Sequence, residues 1–124
     1  MKKSLLAFAL VFISSFSFAQ EQINWMTWEE AYEKNQEEPK VIFVDVYTHW
    51  CGWCKRMDQT TFKNPEVVNY MNKHYYAVKF NAETKDTIRF ANQEFINENK
   101  GKRSPHQLAI ALLNGRMSYP SYGF

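Results

Sequence analysis

An almost unbroken apolar run, Lys40–Tyr47, leads within a few residues to the only two cysteines of the chain, Cys51 and Cys54. A β-branched run of this kind is typical of a central parallel strand that is covered on both faces. A disulfide between two residues only three positions apart closes a very short loop and removes little entropy from the unfolded chain. The pair therefore indicates redox chemistry rather than a disulfide that stabilises the fold.

The position of Cys51, where the strand ends and a helix should begin, favours its thiolate form. The unpaired N–H groups and the positive dipole end of a helix stabilise an anion there, and the thiolate is the form that attacks a disulfide. Cys54 follows one helical turn later, within reach of the resulting mixed disulfide. We predict a redox-active disulfide in which Cys51 is the attacking thiol and Cys54 the resolving thiol.

Other uses of the cysteine pair are alternatives to this prediction. A zinc site needs two further ligands, for which His49 and His74 are the candidates. Covalent haem attachment needs a histidine directly after the second cysteine, where this chain has Lys55. A plain structural bridge and a copper(I) site made of the two thiolates stay open. We predict no metal and no cofactor.

Helix and strand signals alternate along the chain. Thr27 and Glu30 form a capping-box pattern for a helix through about Asn35. The later signals predict a helix from near Cys51 past Met57, a helix from Asn64–Pro65, a strand over Tyr75–Phe80, a helix over about Asp86–Glu98, and a helix from Ser104–Pro105 to Leu113 closed by Asn114–Gly115. This alternation predicts an α/β fold with a mainly parallel sheet.

The first 19 residues have the layout of a secretory signal peptide. Lys2 and Lys3 precede the apolar run Leu5–Phe18, and Ala19 ends a small-residue cleavage pattern. An uncleaved membrane anchor is the alternative. We predict a signal over residues 1–19 and a single domain over residues 20–124 of an exported protein, which contacts a membrane only through the export signal.

The charge of the predicted domain is balanced. The chain has 15 basic and 13 acidic residues, and the predicted signal contains two of the basic ones, which leaves 13 of each. There is accordingly no electrostatic reason to expect nucleic acid or an anionic membrane as a partner. Lys100–Arg103 is the one local basic cluster, and we interpret it as a solvated loop.

The segment Val44–Lys55, with the sequence VDVYTHWCGWCK, resembles the active-site segment of the thioredoxin family. Thr61–Val67 is similar to the exported thioredoxin-like branch, which includes the C-terminal domain of bacterial periplasmic disulfide reductases. The resemblance covers roughly Trp25–Tyr122. It implies a thioredoxin-like fold and an extracytoplasmic, periplasmic thiol–disulfide oxidoreductase. Such a protein exchanges electrons with protein disulfide substrates and a redox partner protein, and the reductive direction is favoured.

The resemblance also implies roles for residues outside the cysteine pair. A carboxylate in an apolar strand is costly unless it is neutral or hydrogen-bonded, and Asp45 occupies the position of a family acid that lies beneath the pair and helps to deprotonate the resolving thiol. Tyr119–Pro120 resembles the cis-proline segment, which packs against the pair and offers backbone atoms to an extended substrate. Trp50 and Trp53 flank the cysteines and are further candidates for substrate contact.

Some features depart from the family or have no clear role. Gly52–Trp53 replaces the Gly-Pro of cytosolic thioredoxin, so the direction of electron flow does not carry over. We expect the last two strands and the final helix, which follow the cis-proline in the family, to be missing. His49 is a candidate for stabilising the Cys51 thiolate, and His106 should be a surface residue. A redox-inactive module that binds extended peptides beside Pro120 is the alternative function.

Overall fold

The apolar run forms the central strand of the fold, in a computed structural model that describes residues 19–124. Residues 1–18 of the predicted signal peptide lie outside the described residues. The helices are α1 (Trp28–Glu37), α2 (Gly52–Gln59), α3 (Pro65–His74) and α4 (Gln107–Leu112), with a short 3-10 helix over Thr61–Lys63; the strands are β1 (Val41–Tyr47), β2 (Tyr75–Asn81), β3 (Ile88–Phe90), β4 (Gln93–Phe95) and β5 (Ser121–Gly123).

Within residues 19–124, β1 lies between β2 and β5 in a three-stranded sheet. The β1–β2 pairing is parallel over seven residue pairs, and the β1–β5 pairing is antiparallel over three. Met26 adds an isolated parallel bridge to Val78 on the other edge of β2. The sheet is therefore mixed, with parallel pairing predominant, and β3 and β4 form a separate antiparallel hairpin.

Both faces of β1 are covered, because successive side chains of a strand point to opposite faces. Val44 and Val46 pack in one cluster with α1, α4 and the β3–β4 hairpin. Phe43 packs in the other cluster with the 3-10 helix and α3. Asp45 points to the same face as Phe43, so its carboxylate lies inside this second apolar layer.

The local signals for the first helices and strands are confirmed. Thr27 and Glu30 form both hydrogen bonds of a capping box at the start of α1. The side chain of Asn64 caps α3, which has Pro65 in its first turn. Asn114 and Gly115 both have positive φ angles after α4. None of the helices formed by residues 19–124 is long and apolar enough to cross a membrane.

The predicted helix over Asp86–Glu98 is wrong. These residues form the β3–β4 hairpin, whose two-residue loop, Ala91–Asn92, has φ angles of 50° and 58°. Positive φ at both loop residues is the conformation of a tight turn that matches the twist of paired strands. Phe90 and Phe95 stack with their ring centroids 5.0 Å apart. The aromatic side chains of the hairpin therefore pack on one face because side chains alternate along a strand. They do not share one face of a helix.

The start of α4 and the place of His106 also differ from expectation. Ser104 does not cap the helix; the ring of His106 does, because its Nδ1 accepts the backbone N–H of Leu108 at 3.1 Å. The Nε2 atom must then carry the proton, and it donates to the carbonyl oxygen of Asp86 at 2.9 Å. His106 is fully buried, not a surface residue, and burial lowers its pKa.

The expectation that both strands after the proline are missing is wrong for the first of them. Ser121–Gly123 forms β5, which pairs with Val44–Val46 of β1 and places Tyr122 opposite Asp45. The short strand extends the sheet on the edge of β1 that β2 does not occupy. It therefore helps to enclose the buried carboxylate.

Candidate active site

The cysteine pair lies at the start of the helix that follows the central strand. β1 ends at Tyr47, and Cys51 is the N-cap residue of α2 with an extended backbone (φ −77°, ψ 105°). Cys51 and Cys54 form a disulfide with their Cα atoms 5.3 Å apart, and both residues are buried. The Sγ atom of Cys51 accepts the backbone N–H of Cys54 at 3.1 Å. The sulfur of Cys51 thus sits at the positive end of the helix, where a negative charge is stabilised.

Asp45 forms a buried ion pair in the strand that leads to the cysteines. Its Oδ2 accepts a hydrogen bond from the Nζ of Lys79 at 2.6 Å, and its side chain is 2% exposed. Lys79 lies opposite Asp45 in the parallel pairing of β1 with β2. The second oxygen, Oδ1, is buried and has no hydrogen-bond partner among the described residues. One oxygen of the carboxylate therefore accepts a hydrogen bond from Lys79, and the other remains an unused acceptor.

Lys79 is shared between two carboxylates. Its ammonium group also donates to Oδ1 of Asp58 on α2. The side chain of Asp58 is 40% exposed, so this second pair reaches the protein surface. The rings of Trp25, Tyr47 and Phe62 surround the same ammonium group, with centroids 4.8, 5.2 and 5.7 Å from Nζ. Lys79 is thus held by cation–π contacts as well as by charge.

The surroundings of Asp45 raise its pKa above the ordinary value of 3.8. Burial is the main cause, since it disfavours the charged form; the hydrogen bond and the charge of Lys79 oppose it, and the nearby charge of Asp58 adds to it. Tyr122, opposite Asp45 on β5, is affected in the same way. Burial, followed by the charges of Asp45 and Asp58, raises its pKa to about 12. This part of the interior therefore resists additional negative charge.

The structure brings Trp50 and Tyr119 together. Their ring centroids are 5.8 Å apart in an edge-on arrangement, and the peptide bond between Tyr119 and Pro120 is cis. Trp50 is 49% exposed. The loop that carries Cys51 and the loop that carries Pro120 therefore contact each other through two aromatic rings. Trp53 makes a different contact: it is 69% exposed, and its ring lies 5.8 Å from the guanidinium of Arg56 on the same helix.

The two histidines considered as metal ligands lie in different surroundings. His49 is exposed, and its Nε2 lies 3.2 Å from the side-chain amide of Asn81. The ring of His74 packs against that of Tyr70 at the end of α3. Within residues 19–124, no three or more His, Cys, Asp or Glu side chains form a group that could hold a metal ion.

Four residues near the site were not identified from the sequence as part of it. Lys79 gave the clearest overlooked signal, because it is a single cation in the apolar strand Tyr75–Phe80, just as Asp45 is a single acid in β1. Asp58 lies four residues after Cys54, one helical turn further along α2. Glu83 and Arg103 gave no local signal, because they reach Trp50 only through tertiary folding.

Comparison with known proteins identifies related sequences. The family Thioredox_DsbH, described as a protein of unknown function (DUF255), matches residues 13–114. Spermatogenesis-associated protein 20 of Rattus norvegicus is 28% identical over 79 residues, which are 63% of this chain and 10% of the relative. An uncharacterized protein of Archaeoglobus fulgidus is 30% identical over 79 residues, which are 64% of this chain and 62% of the relative.

The chain matches a small part of the length of the animal relatives and a larger part of the length of the archaeal one. The chain spans about a tenth of the length of the spermatogenesis-associated proteins of rat, human and mouse that it matches. A solution structure of a "putative disulphide-isomerase" from Bacteroides thetaiotaomicron is 35% identical, with a TM-score of 0.44, and the match covers 53% of this chain and 57% of that one.

The family match covers most of the chain and includes the whole segment from β1 to α4. It agrees with the mixed α/β fold, in which a disulfide joins the two cysteines at the start of α2. A CxxC disulfide in this position supports a thiol–disulfide oxidoreductase-like role. The chain belongs to the thioredoxin-like family Thioredox_DsbH.

Proposed function

We propose that this protein is an extracytoplasmic thiol–disulfide oxidoreductase that exchanges its Cys51–Cys54 pair with disulfides of partner proteins. One observation carries the proposal: the sulfur of Cys51 caps α2 and accepts the N–H of Cys54. After reduction, the same N–H and the helix dipole stabilise a thiolate at Cys51. Cys54 lies close enough to form the internal disulfide again, as the bridge between the two residues demonstrates.

The first step is attack of the Cys51 thiolate on one sulfur of a substrate disulfide. A bond forms between Cys51 and that sulfur, the substrate disulfide breaks, and its other sulfur leaves as a thiolate that takes up a proton from water. In the second step Cys54 loses its proton and attacks the sulfur of Cys51. The bond between Cys51 and the substrate breaks, and the second substrate sulfur leaves as a thiolate that takes up a proton from water. The protein dithiol is oxidised to a disulfide, and the substrate gains two electrons and two protons.

Asp45 is the base that we assign to the second step. Burial raises the pKa of Asp45, which makes its carboxylate a stronger base than an exposed one. Its free Oδ1 supplies the acceptor. Lys79 and Asp58 hold the carboxylate in place and adjust its basicity without contacting the substrate.

Substrate binding is assigned to the surface next to the disulfide. Tyr119 and Pro120 offer backbone atoms to an extended segment of the partner protein, which joins them by β-addition. Trp50 and Trp53 provide exposed aromatic area on either side of Cys51. The substrates are protein disulfides, and a second redox protein restores the dithiol.

The reductive direction and the location outside the cytoplasm are part of the proposal. The similarity of Thr61–Val67 to the periplasmic reductase branch favours reduction, and the signal-like residues 1–19 favour export, with the periplasm as the compartment. Expression with a C-terminal tag, followed by cell fractionation and N-terminal sequencing, tests the location. Recovery of the intact N-terminus in the cytoplasm would contradict it.

Equilibration with glutathione buffers tests the redox function. The two thiols are titrated after acid quenching, with a variant that carries both Cys51→Ser and Cys54→Ser as the control. A two-electron transition is expected, and its midpoint relative to known reductants and oxidants gives the direction of electron flow. A chain without any transition but with retained affinity for unfolded peptides would be the redox-inactive binding module instead.

Alkylation tests the thiolate directly. The reduced chain is treated with iodoacetamide between pH 4 and pH 9, and the modified cysteine is identified by mass spectrometry. Cys51 is expected to react at pH values where glutathione is nearly inert, because the N-terminus of α2 stabilises its thiolate. Reaction of Cys51 no faster than that of glutathione at mildly acidic pH would remove the basis of the mechanism.

A further inference from the structure

Trp50, the residue before Cys51, is held in one orientation by three contacts. Its indole N–H donates to Oε1 of Glu83 at 2.8 Å. Its ring meets that of Tyr119 edge-on at 5.8 Å. The guanidinium of Arg103 lies 4.4 Å from its ring centroid. Three separate segments therefore position one half-exposed side chain at the edge of the disulfide.

Arg103 is charged, exposed and, among the described residues, in no ion pair. A guanidinium that stacks on an aromatic ring uses its flat face for that contact, and its N–H donors point outward in the plane. These donors match the two oxygens of a carboxylate. Arg103 is thus a cation held over the ring of Trp50, and within residues 19–124 its side-chain N–H groups have no hydrogen-bond partner.

The nearby charges compensate this cation only in part. Glu98 pairs with Lys100 in the loop that carries Arg103, whereas Glu83 accepts a hydrogen bond from the neutral indole N–H of Trp50 and keeps its negative charge. Lys102, next to Arg103, is exposed and adds a further positive charge. The two positive charges of Lys102 and Arg103 against the one negative charge of Glu83 leave a small positive excess beside Trp50.

A shallow groove continues the surface away from the disulfide. Arg103 lines it together with Gly101, Pro105 and Ile110. Ile110 is 41% exposed, so the groove offers apolar contact next to the guanidinium. Arg103 therefore borders both Trp50 and this groove.

We propose that Trp50 and Arg103 form a recognition site for an acidic residue in the partner protein, in an extended segment close to the cysteine that exchanges with Cys51. The carboxylate of the partner binds the outer edge of the Arg103 guanidinium, and the neighbouring backbone lies along Trp50 and Tyr119. This inference rests on the proposed function, because that function is what makes the bound segment a substrate. It adds that the preferred substrates carry Asp or Glu near their reactive cysteine.

Binding of two synthetic peptides tests the recognition site without requiring any exchange. The peptides have equal length and a serine in place of the reactive cysteine; one carries two Glu residues nearby and the other carries Gln at the same positions. Fluorescence anisotropy with the disulfide form of the chain is expected to give about threefold to fivefold tighter binding of the Glu peptide, as for a solvent-exposed ion pair. The preference should shrink as salt is added.

Two variants make the comparison specific. Arg103→Gln is expected to abolish the preference, whereas Arg89→Gln, which removes an equal charge on the separate β3–β4 hairpin, should retain it. Equal binding of the two peptides, binding of neither, or a preference that survives Arg103→Gln would overturn the proposal.

Cysteine-containing versions of the same peptides separate the two hypotheses. Their disulfide-linked dimers are offered to the reduced chain, and the release of free thiol is followed over time. Faster reduction of the Glu peptide than of the Gln peptide, with the difference lost in Arg103→Gln, supports both hypotheses. A binding preference for the Glu peptide without any thiol release supports the recognition site and contradicts the oxidoreductase function.

Discussion

At Asp45, burial and ion pairing act in opposite directions. The side chain is 2% exposed, and burial raises its pKa even though Lys79 donates a hydrogen bond to it. The position of this acid within an apolar strand was evident from the sequence, whereas its closeness to the cysteines was implied only by the resemblance to the thioredoxin family. Its partner was not, because Lys79 lies 34 residues away and meets Asp45 only through the parallel register of two strands.

Replacement of Asp45 by Asn is expected to slow the second step of the exchange much more than the first. The amide has nearly the same shape but cannot take up the proton of Cys54, so resolution of the mixed disulfide should slow by about 100-fold, the usual size of a general-base contribution. Formation of the mixed disulfide should change much less. Stopped-flow tryptophan fluorescence, with acid quenching, measures both rates; equal slowing of both would exclude the assigned role.

Replacement of Asp58 by Asn is expected to move the pH dependence of the resolving step. The charge of Asp58 contributes to the raised pKa of Asp45 and competes for Lys79. Its removal lowers the pKa of Asp45, so the carboxylate becomes available as a base at lower pH. The midpoint of the rate increase should therefore shift to lower pH.

The pH profile of Asp58→Asn is best compared with that of Glu66→Gln. This control removes an exposed carboxylate from the first turn of α3; in the part of the chain that the structure describes, Lys79 forms its ion pairs with Asp45 and Asp58 and not with Glu66. A profile of Asp58→Asn that coincides with that of the unmodified chain, or that shifts to higher pH, would show that the second ion pair does not influence Asp45.

Among the elements, the β3–β4 hairpin shows where sequence patterns were ambiguous. Ile88, Ala91 and Phe95 have helical spacing, but Ile88, Phe90 and Phe95 are the residues that bury apolar surface. Two short strands of three residues each give too little alternation to outweigh a helical pattern. The deciding feature was the turn at Ala91–Asn92, and Ala is an uncommon residue at positive φ. The strong caps of α1 and α3, by contrast, specified those helices locally.

Replacement of Ala91 by Gly is expected to stabilise the protein. Glycine adopts a φ angle of 50° without the steric cost that a Cβ atom imposes, so the free energy of unfolding should rise by about 0.5–1 kcal/mol. Ala111→Gly, on an exposed position of α4, should lower it by about 1 kcal/mol because helical backbone favours Ala. Urea denaturation measures both; a loss of stability in Ala91→Gly would mean that the turn conformation is wrong.

In the whole molecule, the central strand joins two apolar layers, and this is what the sequence predicted best. An apolar run in which both even and odd positions are buried has to lie between layers, and β1 does so. The arrangement of the later loops was not predictable in the same way. Arg103 and Glu83 reach Trp50 through contacts between residues distant in sequence, and no local propensity encodes such contacts.

Replacement of Val46 by Ala tests the packing of the central layer. Val46 is fully buried, so the loss of two methyl groups and the cavity left behind should lower the free energy of unfolding by about 2–3 kcal/mol. Val41→Ala, in the same strand but 51% exposed, should change it by less than about 0.5 kcal/mol. Similar effects of the two substitutions on urea denaturation would contradict the burial of β1 between two layers.

The row of charges from Asp58 through Lys79 to Asp45 has a consequence for how a buried group responds to the solvent. The side chain of Asp58 is 40% exposed, that of Asp45 is 2% exposed, and Lys79 donates a hydrogen bond to both. Protonation of Asp58, or screening of its charge by salt, therefore changes how strongly Lys79 balances the charge of Asp45.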